Sequence, residues 1–368
     1  MIVYSDPILR WVQCRGRPSL ARYPLEMNVA LAAALITSSC TMGDVIPKGD
    51  RVLSMAVGPG SDGDYGRAFA LAKGAGVQSV SLHLAWDDIE KGPGQFDGKF
   101  LEIANAFYPP QGVSVPLDLA VLDTNRDRRP ADLRNKAFND PAVVARFSKL
   151  LDFVFSKIPD LKLDWLAIGN EVDATLGTDS TKWKAYSLFF AEAKRLAKAR
   201  RPGLKVGVKT TFGASFGSSA NLVADLNAHA DLVLVTYYPL QGDFTVEDPK
   251  VVHADLERLC AGNPGRRIDL AETGFPSGAK TLSSPQKQAQ FFRELFQAWD
   301  KHAKQVRMVL VNWQTDISPA SVATFKAYYG LDTPAFLEFL GTLGLREWSG
   351  IEKPAWGVFR AEAKARGW

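Results

Sequence analysis

Leu166-Ala-Ile-Gly-Asn-Glu-Val-Asp173 and Ile268-Asp-Leu-Ala-Glu-Thr-Gly-Phe-Pro-Ser277 decide how this chain is read. In each, an apolar run suited to a buried strand stops at a glutamate, Glu171 in the first and Glu272 in the second. A strand ending in a carboxylate sets that charge at the rim of a sheet, outside its apolar middle. Two such strands in one barrel would aim both carboxylates into one pocket.

Working outward, β-rich runs alternate with amphipathic stretches from residue 48 onward. Strands are expected at Val52–Val57, Ser79–Leu84, Val113–Val121, Leu163–Ile168, Lys205–Thr211, Leu232–Thr236, Arg267–Ala271 and Arg307–Asn312. Helices are expected at Tyr65–Lys73, Lys99–Phe107, Pro141–Ser156, Thr181–Arg200, Ser219–Ala228, Pro249–Cys260 and Pro285–Lys304. A last helix, Pro354–Ala365, follows a longer excursion through residues 314–353. Pro141, Pro249, Pro285 and Pro354 fall near helix starts, where a missing N–H costs nothing. Eight β-then-α units with no interior linker predict a single (β/α)8 barrel over residues 48–368. No GxGxxG follows a strand, which removes support for a dinucleotide-binding sheet.

In such barrels the reactive groups gather at the C-terminal ends of the strands. The second strand ends in His83-Leu-Ala-Trp86, and Asp123-Thr-Asn125-Arg126 follows the third. The fourth ends in Asn170-Glu171, the sixth in Thr236-Tyr237-Tyr238-Pro239, the seventh in Glu272 and the eighth in Asn312-Trp313-Gln314. Polar and aromatic side chains therefore collect at one rim while strand interiors stay apolar. Two carboxyls at one rim are the minimum equipment for breaking a glycosidic bond, and the reaction needs no cofactor.

The strand ends resemble those of the retaining glycoside hydrolases of clan A: Asn-Glu after strand four, Glu after strand seven, Tyr after strand six and Trp after strand eight. Trp86-Asp-Asp-Ile-Glu-Lys-Gly-Pro-Gly-Gln-Phe-Asp97 is similar to that clan's second-strand loop, and Lys353-Pro-Ala-Trp356 to the opening of its last helix. Ile-Gly-Asn-Glu-Val and Glu-Thr-Gly-Phe-Pro-Ser resemble plant- and fungal-type β-1,3-glucanases. Tyr237-Tyr-Pro and Ile-Gly-Asn-Glu-Val-Asp-Ala-Thr-Leu are similar to arabinogalactan endo-β-1,4-galactanases. Phe275 stands where the glucanases carry Trp, and Leu240-Gln241 where the galactanases carry Phe-Trp, so the sugar stays open.

The resemblance implies Glu171 as general acid/base and Glu272 as nucleophile, about 5 Å apart as retention requires. Asn170 is expected to meet the sugar 2-OH, and Tyr237 or Tyr238, only one of which can face the pocket, to orient Glu272. Trp313 and Trp86 are expected as stacking platforms, with His83 and Arg126 as further sugar contacts. The implied partner is a β-linked polysaccharide or oligosaccharide. Two other readings compete: a barrel that binds carbohydrate without cleaving it, and a serine esterase built on Gly213-Ala-Ser215-Phe-Gly217.

Composition fits an ordinary globular protein, with 46% hydrophobic and 23% charged residues. The net charge of +4 gives no basic surface for nucleic acid. Cys14, Cys40 and Cys260 make no disulfide framework, and histidines 83, 229, 253 and 302 form no ligand motif, so no metal is expected. Residues 1–47 are read as a leader: Arg15, Arg17 and Arg22 precede Val29-Ala-Leu-Ala-Ala-Ala-Leu-Ile36, too short to span a bilayer and suited to an export signal. Thr37-Ser-Ser-Cys40 resembles a bacterial lipoprotein site with Cys40 as the lipidated residue. The chain is thus expected to be an exported monomer, periplasmic, outer-membrane-anchored or extracellular, meeting membrane only through that anchor.

Overall fold

The computed structural model describes residues 45–368, so the leader and Cys40 lie outside the described residues. Its principal strands are β1 (Val52–Met55), β2 (Ser79–Val80), β3 (Leu82–Ala85), β4 (Val115–Asp123), β5 (Leu163–Asn170), β6 (Val206–Gly207), β7 (Lys209–Thr211), β8 (Val233–Tyr237), β9 (Ile268–Thr273) and β10 (Val306–Val311). The helices that matter here are α1 (Tyr65–Gly74), α2 (Lys99–Phe107), α3 (Pro141–Lys157), α4 (Ser180–Arg200), α5 (Ala220–Ala228), α6 (Val251–Gly262), α7 (Pro285–Lys301), α8 (Pro319–Tyr329), α9 (Pro334–Gly341) and α10 (Pro354–Ala365). Proline opens α3, α7, α8, α9 and α10. Pro249 instead sits in the turn before α6, where Asp248 caps the Lys250 amide at 2.8 Å.

All eight expected strands are present, but their ladders form two parallel sheets rather than one uninterrupted barrel. One runs β7-β8-β9-β10-β1-β2 and the other β3-β4-β5-β6. The ladders stop within the second and fifth strands, at Ser81 and Val208, because there the chain exchanges one neighbour for another. Ser79–Val80 pairs with β1, while the residues after Ser81 pair with β4. Val206–Gly207 pairs with β5, while the residues after Val208 pair with β8.

Alternation along the strands separates two apolar layers. Trp165, Ala167, Leu232, Leu234, Ala271 and Met308 pack against one another as an inner cluster. Their sequence neighbours Leu166, Ile168, Val233, Leu270 and Val309 join the large outer cluster shared with the helices. At the start of the fold, the Arg51 guanidinium bonds Asp300 at 2.8 Å and the Ile46 carbonyl at 2.8 Å.

The excursion after β10 carries α8 and α9, which the strand pattern did not foresee. Its two ends are stapled together. Lys353 Nζ reaches Asp316 Oδ1 at 2.7 Å, the Gly344 amide donates to the same oxygen at 2.8 Å, and the Asp316 amide donates to the Arg346 carbonyl at 2.8 Å. Only glycine fits at 344, since a Cβ there would lie 2.1 Å from the Asp316 nitrogen.

Candidate active site

Strand alternation would send Asn170 and Glu171 to opposite faces, yet both line the same cavity. The backbone supplies the reason. Gly169 has φ 96 and Glu171 φ 44, so two left-handed residues lie within three positions and break the two-residue period. Glycine is required at 169 twice over, because a Cβ would meet the Tyr186 hydroxyl at 2.3 Å. That hydroxyl donates to the Ile168 carbonyl at 2.8 Å and holds the turn. A non-glycine residue held in this region costs roughly 1–3 kcal/mol, a strain typical of functional positions.

Glu171 and Glu272 face a common cavity of about 270 Å3. Their surroundings differ. Among the described residues the Glu171 carboxyl accepts from neutral hydroxyls, Thr236 at 2.7 Å and Thr124 at 2.8 Å. Burial, then repulsion from Glu272, pushes its carboxyl up to about 7. Glu272 accepts from the Lys209 ammonium at 2.8 Å, the Tyr238 hydroxyl at 2.9 Å and Asn312 Nδ2 at 3.0 Å. One carboxyl is thus poised to carry a proton near neutrality, and the other sits in a donor set that stabilises negative charge.

Beneath them runs a chain of buried groups of alternating sign. Lys209 also reaches Asp118 Oδ2 at 2.5 Å, and His83 Nδ1 lies 3.3 Å from that same oxygen. The other ring nitrogen of His83 lies 3.6 Å from Asp123. Asp123 accepts from Asn170 Nδ2 at 2.9 Å and from the Tyr328 hydroxyl at 2.6 Å. Burial works against charge on His83, but Asp123 and Asp118 outweigh it and raise the imidazole to about 10. Lys209 is likewise opposed by burial and lifted above its ordinary range by Asp118 and Glu272. Register accounts for the convergence, since His83 stands beside Asp118 on adjacent strands and Thr236 beside Glu272.

Of the residues singled out in the sequence, Glu171, Glu272, Asn170, Tyr238, Trp313 and His83 line this cavity. Tyr237, Trp86 and Arg126 lie outside this lining, and of the two tyrosines it is Tyr238 that bonds Glu272. Tyr237 sits on the outer face of β8, its hydroxyl donating to Asp255 at 2.7 Å. Trp86 is fully buried, bonds Glu90 at 2.8 Å and packs edge-on against Phe147. Arg126 is exposed and donates to the Tyr328 carbonyl at 2.8 Å, fastening the end of α8 to the loop after β4. Ser215 is outside the cavity lining and bonds no histidine among the described residues; His253 pairs with Glu294 and His302 with Glu257.

Sequence reading placed Asp123 and Asn312 at the rim without giving either a role, and missed Lys209 and Asp118. A charged residue inside an otherwise apolar strand, as in Val206-Gly-Val-Lys209 or Leu117-Asp118-Leu119, is the signal that would have found the last two. It also missed the aromatic residues of α8 and α9 that wall the cavity.

No protein-family model matches the chain, and neither does any curated protein sequence. Solved structures do. A GH5_18 protein from Streptomyces cattleya in complex with GlcNAc superimposes with a TM-score of 0.66 at 17% identity, covering 85% of this chain and 80% of that one. An exo-β-1,4-mannosidase from Opitutaceae bacterium strain TAV5 gives 0.64 at 16% identity, covering 86% of this chain and 59% of that one. A family 39 glycoside hydrolase from Bacteroides cellulosilyticus WH2 gives 0.60 at 16% identity, over 86% and 64%. At these identities the likeness establishes architecture: the chain shares the α/β fold, built on parallel strands, of GH5 and GH39 glycoside hydrolases.

Proposed function

We propose that the protein is a retaining β-glycosidase of the clan A type, with Glu171 as acid/base and Glu272 as nucleophile. The observation that carries this reading is the pairing of two carboxyls on one cavity in opposite electrostatic settings. Glu171, protonated below about pH 7, gives its proton to the departing glycosidic oxygen. Glu272 attacks the anomeric carbon as that bond breaks, forming a glycosyl ester. Glu171, now a carboxylate, takes a proton from water as the water oxygen displaces Glu272, so the sugar leaves with its configuration retained. Lys209, Tyr238 and Asn312 hold the Glu272 carboxylate in place through both steps.

Asn170 belongs to the sugar-binding side of this proposal. Its Nδ2 is committed to Asp123, and among the described residues its buried Oδ1 has no hydrogen-bond partner. Trp313, stacked on Phe325, and His83 complete the sugar contacts. The substrate on this reading is a β-linked oligosaccharide or glycoside. The cavity volume is at the small end for ligand sites and suits a short substrate rather than an extended chain. Export and a lipid on Cys40 belong to the same proposal, resting on the sequence of residues 1–40, and a monomeric state goes with them.

A 2-deoxy-2-fluoro-β-glycoside with a dinitrophenolate leaving group tests the mechanism directly. Mass spectrometry of a proteolytic digest should find the sugar on Glu272, and both Glu171→Gln and Glu272→Gln should lose turnover. Labelling elsewhere, or full activity in either variant, would overturn the assignment.

A further inference from the structure

Beyond the strand-end charges, the cavity changes character. Phe325, Tyr329, Leu331, Phe336, Phe339 and Leu340 line it from the excursion, facing Phe244 from the loop after β8. The aromatic members touch in series. Tyr238 meets Phe339 edge-on at 5.5 Å, Phe339 meets Phe244 at 5.8 Å, and Phe244 meets Phe336 at 4.9 Å. Phe336 meets Tyr329 at 5.7 Å, Tyr329 meets Phe325 at 5.9 Å, and Phe325 stacks on Trp313 at 6.2 Å. This collar starts at the very tyrosine that bonds Glu272 and returns to the tryptophan beside Asn312. Phe244 is held at φ 68, a left-handed backbone that a bulky residue rarely adopts, and its ring packs into the collar.

We propose that the collar is the leaving-group subsite, and that the enzyme cleaves neutral β-glycosides carrying an apolar alkyl or aryl aglycone. This deepens the glycosidase reading and rests on it. A sugar ring belongs at the strand ends, where His83, Asn170, Lys209 and Asn312 supply polar contacts. A second sugar in the collar would bring several hydroxyls to phenylalanine and leucine side chains that cannot bond them, at a cost for each one left dry. An apolar aglycone has no such groups and exchanges water for the collar's rings. Leu331, 40% exposed, extends the apolar surface outward, so a long chain can leave the cavity over it. The sugar end is expected to be neutral, because the lining carries four carboxyl side chains, Asp118, Asp123, Glu171 and Glu272, against the basic side chains His83 and Lys209. A uronate would meet that excess of negative charge.

The test compares octyl with methyl β-glycosides of glucose, galactose and mannose, which share leaving-group chemistry and differ in apolar length. For the sugar accepted best, kcat/KM for the octyl glycoside should exceed that of the methyl glycoside by on the order of 100-fold. Octyl 1-thio-β-glycosides, which resist hydrolysis, should bind in calorimetry more tightly than the corresponding disaccharides. Leu331→Gln, at the exposed rim where folding is not at stake, should narrow the octyl-to-methyl ratio, and Phe336→Ser, checked by thermal melting, should narrow it further. Equal rates for octyl and methyl glycosides, or disaccharides and glucuronides turned over faster than either, overturn the inference and leave the glycosidase reading standing. No hydrolysis of any glycoside and no trapping on Glu272 overturn both.

Discussion

Replacing Glu171 with glutamine should kill turnover and, above neutral pH, strengthen the fold. Burial and the nearby Glu272 raise this carboxyl from 4.5 to about 7, while Thr236 and Thr124 pull it down. A carboxyl with a folded pKa above its unfolded value stabilises the protein in full below the unfolded value. That contribution is lost as pH rises through about 7, because the folded protein must then hold a charge that the unfolded chain carries freely. At 1.36 kcal/mol per pH unit, the gap corresponds to at most about 3 kcal/mol, and partial exposure to the cavity lowers it. Glutamine is neutral throughout and can still satisfy both threonines, donating to one and accepting from the other. Urea unfolding should therefore find wild type and Glu171→Gln alike at pH 4, with the variant more stable by about 1–3 kcal/mol at pH 8.5. Over the same range, wild-type kcat/KM should fall as pH rises through about 7. Parallel stability profiles for the two proteins from pH 4 to 8.5 would refute the claim that the fold holds this carboxyl against its charge.

The two adjacent tyrosines should separate cleanly. Tyr238→Phe removes one donor from Glu272 and should lower kcat/KM by on the order of 10- to 100-fold, the worth of a hydrogen bond to a charged group. Tyr237→Phe should leave kinetics unchanged and cost about 1 kcal/mol of stability through the lost bond to Asp255. Lys209→Met leaves Asp118 and Glu272 buried without their shared cation. It should destabilise the protein by about 3–5 kcal/mol in chemical denaturation and lower kcat/KM. A stable, active Lys209→Met enzyme would show that the ammonium has no part in holding Glu272.

Much of the scaffold could be read from periodicity, because strand interiors must be apolar and the chain alternates evenly between strand and helix. Both glutamates stood out for the same reason, as charges that end apolar runs. Which tyrosine would face inward followed from alternation once the register was known, but the sequence alone could not supply that register. Gly169 hid its effect: a glycine in a strand announces a bend without saying which later side chains it redirects. Lys209 and Asp118 were passed over because each looks unfavourable alone in a strand, and only their spatial pairing makes burial tolerable. The helices α8 and α9 carried a signal in Ser318-Pro319 and Thr333-Pro334, a capping side chain followed by proline, each repeated in the structure as a capped start.

The clasp of Asp316 with Lys353 and Gly344 lets one uninterrupted length of polypeptide bulge out while its two feet stay fixed beside the strand ends. Such a segment can be shortened or lengthened with the feet preserved, provided that Tyr328, which bonds Asp123, and Phe339, which packs on Tyr238, keep their places. On the proposed reading, divergence toward new aglycones would proceed by changes in this one stretch.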